Sequence, residues 1–578
     1  MRRTLMLALV VLTGCDGTME GGATGGGSGA AGGGDLGTAG GGGTATAGGG
    51  NTATAGGGST ATAGGGSTAT AGGGSTATAG GGSTANAGGG STATAGGSST
   101  ATAGGGGMGT AGGSMPSTTT PCTPNGQCVW PETSSTCPQD CGSSDVASFT
   151  QQRAKYIDRA CALNGNGLAD TCATSPGGAG RFNELQAAIS SLVGGDTLYI
   201  HPGDYWRVPT EEERDWAGIY VIETINGTAP TAQRPIIITA RFVANPPTLH
   251  SWNPAIAPGS TRVNARPALA IRSSHTIADH LRIVGRIGIS GTQGSRIQHC
   301  DVRFGWGLCD GNWAGIRVDG ANGAVVHHNF VHDVTDDSMC NDIADRPSGL
   351  KEFSSDRTVW EFNTVRNTGY WGYDLHRDST RSAIRYNKFE NVAESSIRIA
   401  RGPDSQVIGN IVVGSGQCLE LEEIQPATPA TDIVANNSCF FAGFSWVIDG
   451  AHANHSARLE NNIAHARMGG ERYNVVLGAG ASRVADRNAY DSNGRFCRRL
   501  YVDEDPCEMT LAAWQATGRD PNSISATGGA CTFVDAPTGP TDTTYDTHVM
   551  GGPCATLGTN GQQVGPYGVT SCVGHVCP

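Results

Sequence analysis

The chain has 578 residues, of which 91 are Gly, 18 are Cys and only 15% are Asp, Glu, Lys or Arg, with a formal net charge of -13. That balance, with no Lys/Arg run, excludes a general nucleic-acid binder, which needs a basic stripe to displace counterions from phosphates. The glycines are concentrated before residue 120, so one large packed domain is expected, not the several that length alone would give.

The apolar stretch Leu5 to Leu12 follows Arg2 and Arg3. It is too short to span a bilayer and fits the core of a signal peptide over residues 1–14. The ending Leu12-Thr13-Gly14-Cys15 resembles the bacterial lipoprotein signal. The resemblance implies cleavage before Cys15, lipidation of that thiol, a place in a bacterial cell envelope and membrane contact through the anchor alone. Cysteine usage agrees with an oxidising compartment. Cys122/Cys128, Cys137/Cys141, Cys161/Cys172 and Cys572/Cys577 are sequence-close candidate pairs, and an odd number after Cys15 leaves one thiol over.

Residues 15–117 repeat an eight-residue unit, as in Ala63-Gly-Gly-Gly-Ser-Thr-Ala-Thr70. Gly loses the most entropy on ordering and the unit has no large side chain, so a disordered Gly/Thr/Ala-rich tether is predicted. A Cys-rich neck is expected over 118–175. Within it Asn164-Gly-Asn-Gly-Leu-Ala-Asp170 has too few acidic oxygens for a calcium loop and reads as a turn. Phe182, Leu185, Ile189 and Leu192 fall at helical spacing before Gly194-Gly195, which predicts a short amphipathic helix over 181–192. Asp196 to Tyr205 then alternates as a strand with a Pro-Gly turn.

The strongest pattern is internal. Apolar-x-x-Asn recurs at Asn329, Asn363, Asn387, Asn410, Asn436 and Asn462, with spacings of 24, 23 and 26 residues between Asn363 and Asn436. A period of this size means stacked supersecondary units. Short alternating segments such as Ile397-Arg-Ile399 and Leu419-Glu-Leu421 exclude a helical repeat. Asn tolerates left-handed backbone angles, and its amide can bond the equivalent amide one coil along. The pattern resembles the asparagine ladder of the pectate-lyase-like superfamily. The fold class implied is all-β: a right-handed parallel β-helix solenoid with an N-terminal capping helix, over residues 176–578, closed by an end piece at Gly561 to Gly568.

Stacking the coils by their Asn positions gathers a polar strip: Arg317 and Asp319, then Lys351 and Glu352, then Asp374, His376 and Arg377, then Arg398 and Arg401, then Glu420 and Glu422. A mixed-charge strip is also what a merely solvated sheet face looks like. Two features favour chemistry. The coil from Asn329 to Asn363 is 34 residues long, and insertions on solenoids build binding walls. Lysine is scarce, with only Lys155, Lys351 and Lys388, so a Lys in the strip suggests a need for a base, which Arg cannot readily supply.

The run Lys351, Asn363, Leu375-His-Arg377, Asn387, Ile397-Arg-Ile399 resembles the chondroitinase B and alginate lyase family of polysaccharide lyases. The resemblance implies β-elimination on an acidic, uronate-containing polysaccharide, with Lys351 as base and Arg377 and His376 assisting. Here the order is His-Arg before Asp378, where the family has Arg-His-Gly. Arg398, Arg401, Arg317, Trp371 and Glu420 are the expected substrate contacts. The family's calcium-binding Glu-x-Glu is replaced by Asp342, Asp345 and Arg346, so Ca²⁺, if used, would fall to Asp342, Asp345 and Glu352. The chain is expected to act as a monomer. Two other readings stay open: a glycoside hydrolase using Asp336-Asp337, paired acids that resemble those of the polygalacturonase family, and a non-catalytic surface carbohydrate-binding or adhesin module whose aromatics, such as Trp306, Trp313, Tyr370 and Trp371, stack on sugars. His452 and His455 lack acidic partners and read as surface residues.

Overall fold

The computed structural model describes eleven short strands between Gly29 and Ala111, and residues 153–565 except the loops 208–218, 224–226, 252–266, 304–313, 335–346, 423–429, 449–454, 466–472, 478–481, 492–493, 499–508, 527–530 and 559–563. Cys15, Cys122, Cys128, Cys137, Cys141, Trp306, Trp313, Asp336, Asp337, Asp342, Asp345, His452, Cys572 and Cys577 lie outside the described residues. The chain divides into two compact units, Met1–Ser117 and Thr118–Pro578.

In the first unit the disorder expected of a tether is corrected. Each Thr-Ala-Thr-Ala segment forms a strand, and each strand pairs in parallel with the next but one, as in Thr44↔Thr60 and Thr52↔Thr68. The result is a 6-stranded and a 5-stranded sheet built from alternate repeats. Two eight-residue units therefore make one coil. Stacking of identical coils offsets the entropy that glycine loses on ordering: β-branched Thr favours the extended backbone, and Ala is small enough for a thin interior. Ala61 is buried and Thr54 exposed, as period-two alternation requires.

The second unit is a solenoid with three strand faces per coil. The first face is a 12-stranded parallel sheet that begins with Arg153–Ile157 and includes Val325–His327, Val359–Glu361 and Ala383–Arg385. The other two faces join in a 20-stranded sheet. The second contains Phe330–Val334 and Thr364–Thr368, the third Ala314–Asp319, Ser348–Phe353 and Tyr373–His376, and the strands Lys388–Ala400, Ile411–Glu422 and Ser438–Ile448 run through the bend between them. The first strand lies within the stretch expected to be a neck, so the solenoid starts earlier in the sequence than residue 176. The predicted helix is present as Leu185–Ser190, with Leu185, Ala188 and Ile189 buried. Asn164 to Asp170 is irregular backbone with bends at 167, 169 and 170, where Leu168 N–H donates to Asn166 Oδ1 at 3.0 Å, and Asp170 is held by Arg181, His201 and Arg241.

The interior is a set of in-register apolar columns. One runs Leu269, Ile287, Ile316, Leu350, Tyr373, Ile397, Leu419 and Trp446. The Cys161–Cys172 disulfide is as expected, and Cys418–Cys439 and Cys531–Cys554 were not foreseen. Among the described residues Cys300 is a free, buried thiol. Near the C-terminus, a helix Leu511–Ala516 and an antiparallel hairpin, Thr532–Asp535 with Asp546–Gly551, pack on the coils. Phe533 and Val549 join Ile411, Val413 and Phe440 in one cluster.

At the corner between the first and second faces, Asn329, Asn363, Asn387, Asn410, Asn437, Asn462 and Asn488 form the ladder. From Asn363 on, each side-chain carbonyl accepts from the backbone N–H and the Nδ2 of the Asn one coil earlier, as Asn387 Oδ1 does from Asn363 at 3.0 and 2.9 Å, while Asn329 Oδ1 accepts from the backbone N–H of Cys300 at 3.0 Å. Each Nδ2 also donates to a strand carbonyl, for Asn387 that of Trp360 at 2.9 Å. Asn437, not Asn436, is the ladder residue. Asn436 is the preceding position, with a left-handed φ of 57°, and Val434, not Ile433, points into the core. The Asn436-Asn437 pair offered two registers, and the strand alternation selects the second.

This assignment has a direct test. Asn437→Ala removes five side-chain hydrogen bonds, to Asn410 N and Nδ2, Val407 O, Ala435 O and Asn462 Oδ1, from a buried corner and is expected to cost about 3 kcal/mol or more, a buried group left unsatisfied being worth about 1–3. Asn436→Gly, at a left-handed position, is expected to be near neutral. Urea unfolding of the two variants distinguishes them.

Candidate functional site

The third face is entered through Gly315, Gly349 and Gly372. A Cβ there would come within 2.8 Å of Val331, 2.4 Å of Val365 and 2.6 Å of Phe389, respectively. Two residues on from each glycine, the side chains point outward in one register: Arg317↔Lys351↔Asp374↔Arg398↔Glu420. Two further on runs a parallel column, Asp319↔Phe353↔His376↔Ala400↔Glu422. Residues remote in sequence are thus brought to the roughly 4.8 Å spacing of neighbouring strands.

Asp374 is the centre of this strip. Its Oδ2 lies 2.7 Å from Lys351 Nζ and its Oδ1 3.0 Å from Arg398 Nη1. Arg398 also donates to Glu422 through Nε at 2.8 Å, and its Nη1 faces His376 Nδ1 at 3.4 Å. Half-buried Trp371 lies over these cations, 4.4 Å from the Arg398 guanidinium carbon and 5.3 Å from Lys351 Nζ, with Tyr370 against it. Phe353 faces Arg317 at 4.6 Å and His376 at 5.1 Å. Arg317 pairs with Asp319 at 2.7 Å. Beyond it a pocket of about 120 Å³ continues the face toward the N-terminus, lined by Arg272, Arg286, Gly288, Arg317 and Asp319 among others.

Protonation follows from burial and these partners. Lys351 is only 2% exposed. Burial pulls its ammonium below the ordinary lysine range, Asp374 opposes this, and Arg398 and Arg317 reinforce it. His376 is held down to about 4, chiefly by burial, with Lys351, Arg398 and Arg377 adding to the effect against Asp374. It is a neutral imidazole near pH 7, able to accept from Arg398. Burial pushes the Glu420 carboxyl up, against a hydrogen bond from Ser395 at 2.8 Å.

The sequence-derived site is therefore assembled in part. Lys351, His376, Arg398, Arg317, Trp371 and Glu420 share the outer third face. Arg377 and Arg401 stand on the turns that follow their strands, exposed, with left-handed φ of 48° and 62°. They border the strip and are not in its ion-paired centre. Glu352 is a correction. Period two turns it inward between Val318 and Leu375, fully buried, where Trp360 Nε1, Tyr373 OH and Ser382 Oγ donate to it at 2.7, 2.8 and 2.7 Å. It cannot be a calcium ligand at the surface. The described strip carboxylates do not fit a calcium ion either, since Asp374, Asp319 and Glu422 are engaged by Lys or Arg and Glu420 by Ser395. The bridging role of Asp374 was missed, although the recurring Gly-x-charged signal at Gly315-Ile-Arg317, Gly349-Leu-Lys351 and Gly372-Tyr-Asp374 places it.

Two consequences are measurable. Glu352→Ala leaves the Trp360 and Tyr373 donors unsatisfied and is expected to lower stability by about 3–5 kcal/mol, with Glu352→Gln less damaging, as read by thermal unfolding. Because the folded-state pKa of His376 is depressed, between about pH 6.5 and about pH 4 the unfolded chain binds a proton there that the folded chain does not. Stability is therefore lost as pH falls through that window. The wild-type slope is expected to exceed that of His376→Gln in paired denaturant titrations.

Comparison with a family model agrees with the architecture. The family model described as a right handed beta helix region matches residues 272–426. No curated protein matches the chain. Among solved structures, the chain is similar to the pectate lyase Pel9A, at 12% identity over 73% of this chain and 96% of that one, with a TM-score of 0.45. It is also similar to an alginate lyase from Paenibacillus sp. str. FPU-7, at 15% identity over 52% and 94% and a TM-score of 0.29. A rhamnogalacturonan lyase gives 12% identity over 64% and 99%, with a TM-score of 0.29.

Proposed function

We propose that the protein is a polysaccharide lyase that cleaves an acidic, uronate-containing glycan by β-elimination on the third face. The observation that carries this reading is a buried lysine, Lys351, set in one outward column with Arg317 a coil before and Arg398 two coils after. A glycan chain laid along the face meets Arg317, Lys351 and Arg398 at separations set by the strands. Its uronate carboxylate pairs with Arg398 or Arg317, which lowers the cost of the enolate-like charge that develops when the C5 proton leaves. Burial and the flanking guanidinium groups favour neutral Lys351, the form that takes this proton. The C4–C5 double bond forms as the C4–O4 bond breaks, and the ammonium on Lys351 supplies the proton to the departing oxygen.

The other residues take supporting parts. Neutral His376 orients Arg398 by accepting from it. Trp371 offers an apolar face to a sugar ring, and Arg377, Arg401 and Glu420 contact the glycan at the borders of the strip. Charge neutralisation by arginine needs no calcium, although Asp342 and Asp345 are the carboxylates to examine if activity depends on it. Anchoring through Cys15 would hold this monomer in the cell envelope of a bacterium.

The test is ultraviolet absorbance of the unsaturated product on a panel of alginate, pectate, chondroitin and dermatan. Absorbance is expected to rise with one of them, and activity to climb with pH as Lys351 loses its proton below the ordinary lysine range. Lys351→Ala and Lys351→Arg are expected to lose about 10²–10⁴-fold in turnover, and a chelator to leave it unchanged. Reducing ends without unsaturated product would transfer the site to hydrolysis, and binding without turnover would make it an adhesin.

A further inference from the structure

A second concentration of chemistry lies at the corner between the first and second faces. Asp279, Gln298 and His327 occupy one outward column of the first face in register. The residue after each, His280, His299 and His328, has a left-handed φ of 50°, 49° and 54°. Their rings follow one another along the solenoid, with centroids 4.7 Å apart for His280 and His299 and 5.4 Å for His299 and His328.

The hydrogen bonds beneath them fix the tautomers. Gln298 Nε2 donates to Asp279 Oδ1 at 3.1 Å, so its Oε1 is the acceptor for His327 Nε2–H at 2.9 Å. That leaves Nδ1 of buried His327 as the lone-pair nitrogen, 2.8 Å from His328 Nδ1. His299 Nδ1 lies 3.0 Å from the same Asp279 oxygen, and as the donor there it keeps Nε2 unprotonated. One ring nitrogen from each of His299, His327 and His328 lies within 4.8 Å of the other two. A tetrahedral ion with nitrogen ligands at about 2.0–2.1 Å needs them about 3.3 Å apart, a spacing small ring rotations reach.

We infer that His299, His327 and His328 form a three-imidazole site for a borderline divalent transition ion, with zinc as the ion to test, and that Asp279 orients His299 and Gln298 orients His327 from behind. An all-imidazole set suits zinc, copper or nickel over calcium or magnesium; the carboxylate behind His299 and the amide behind His327 are outer-shell partners of the kind that hold metal-bound imidazoles, and His328 is stacked on Phe362. Packing alone does not account for the imidazoles. The same column continues with Phe362 and Tyr386, stacked at 5.3 Å, and imidazole replaces them where Asp279, Gln298 and His327 lie alongside. The site is separate from the Lys351 strip, and the inference does not rest on the proposed elimination.

The test uses the full chain, stripped with a chelator and titrated with Zn²⁺ by calorimetry, with unfolding followed in parallel. His328→Phe and His328→Asn supply the side chains this column already carries at Phe362 and at Asn436 and Asn461, so both preserve the fold. His332→Asn, at a histidine outside the cluster, is the control. The wild type and control are expected to bind one equivalent and to gain in unfolding midpoint. Both His328 variants should lose at least the roughly 10–100-fold in affinity that a missing outer-shell partner costs, together with the midpoint gain. No wild-type binding, or a loss smaller than tenfold in the His328 variants, overturns the site.

Discussion

Everything in the second unit depends on registration between coils, and registration is enforced at one corner by buried amides that bond one another. A parallel sheet of short strands can slip by a residue, and a slip of one exchanges interior and exterior. The Asn ladder makes that slip costly, because each amide takes two donors from the previous coil and gives two of its own. With the corner fixed, the third face must place Arg317, Lys351, Asp374 and Arg398 in line, and the first face must place Asp279, Gln298 and His327 in line. Each cluster is made by the stacking of residues remote in sequence.

The same constraint explains what the amino-acid sequence reveals. The spacing of Asn363, Asn387 and Asn410 carries the fold, because it is a chain-length effect that survives any choice of surface residue. The strip was also legible, since outward charged residues on successive strands fall at similar distances from the ladder. Where two asparagines adjoin, at 436–437, composition cannot say which bonds the next coil, and alternation within the strand decides it. Glu352 was misplaced for a related reason. It adjoins Lys351 in sequence, but adjacency on a strand means opposite sides of the sheet. The imidazoles at 280, 299 and 328 carried a signal that went unread: each directly precedes the residue at the ladder corner, Leu281, Cys300 or Asn329.

The two outward clusters solve the problem of partly buried polarity differently. On the third face Asp374 stands between Lys351 and Arg398 and compensates both, and an imidazole kept neutral lies beside them. On the first face one carboxylate, Asp279, meets a hydroxyl, an amide and two imidazoles, with Thr239 Oγ1 at 2.9 Å and His280 Nδ1 at 2.7 Å. Further along that column the polarity becomes a closed ion pair, Glu361 with Arg385 at 3.0 Å, both buried. A flat exterior sheet thereby acquires regions of distinct chemistry while its backbone stays uniform.

The N-terminal repeat carries a different consequence of stacking. Because two eight-residue units complete one coil and alternate units feed opposite sheets, gaining or losing a single unit moves every later strand to the other sheet. In an ordinary protein that exchange would be ruinous. Here both sheets are written in nearly the same four residues, so the transposed strands find equivalent neighbours and only the terminal half-coil changes. Gain or loss of one eight-residue repeat therefore alters the length of this unit in half-coil steps of about 2.4 Å along its axis.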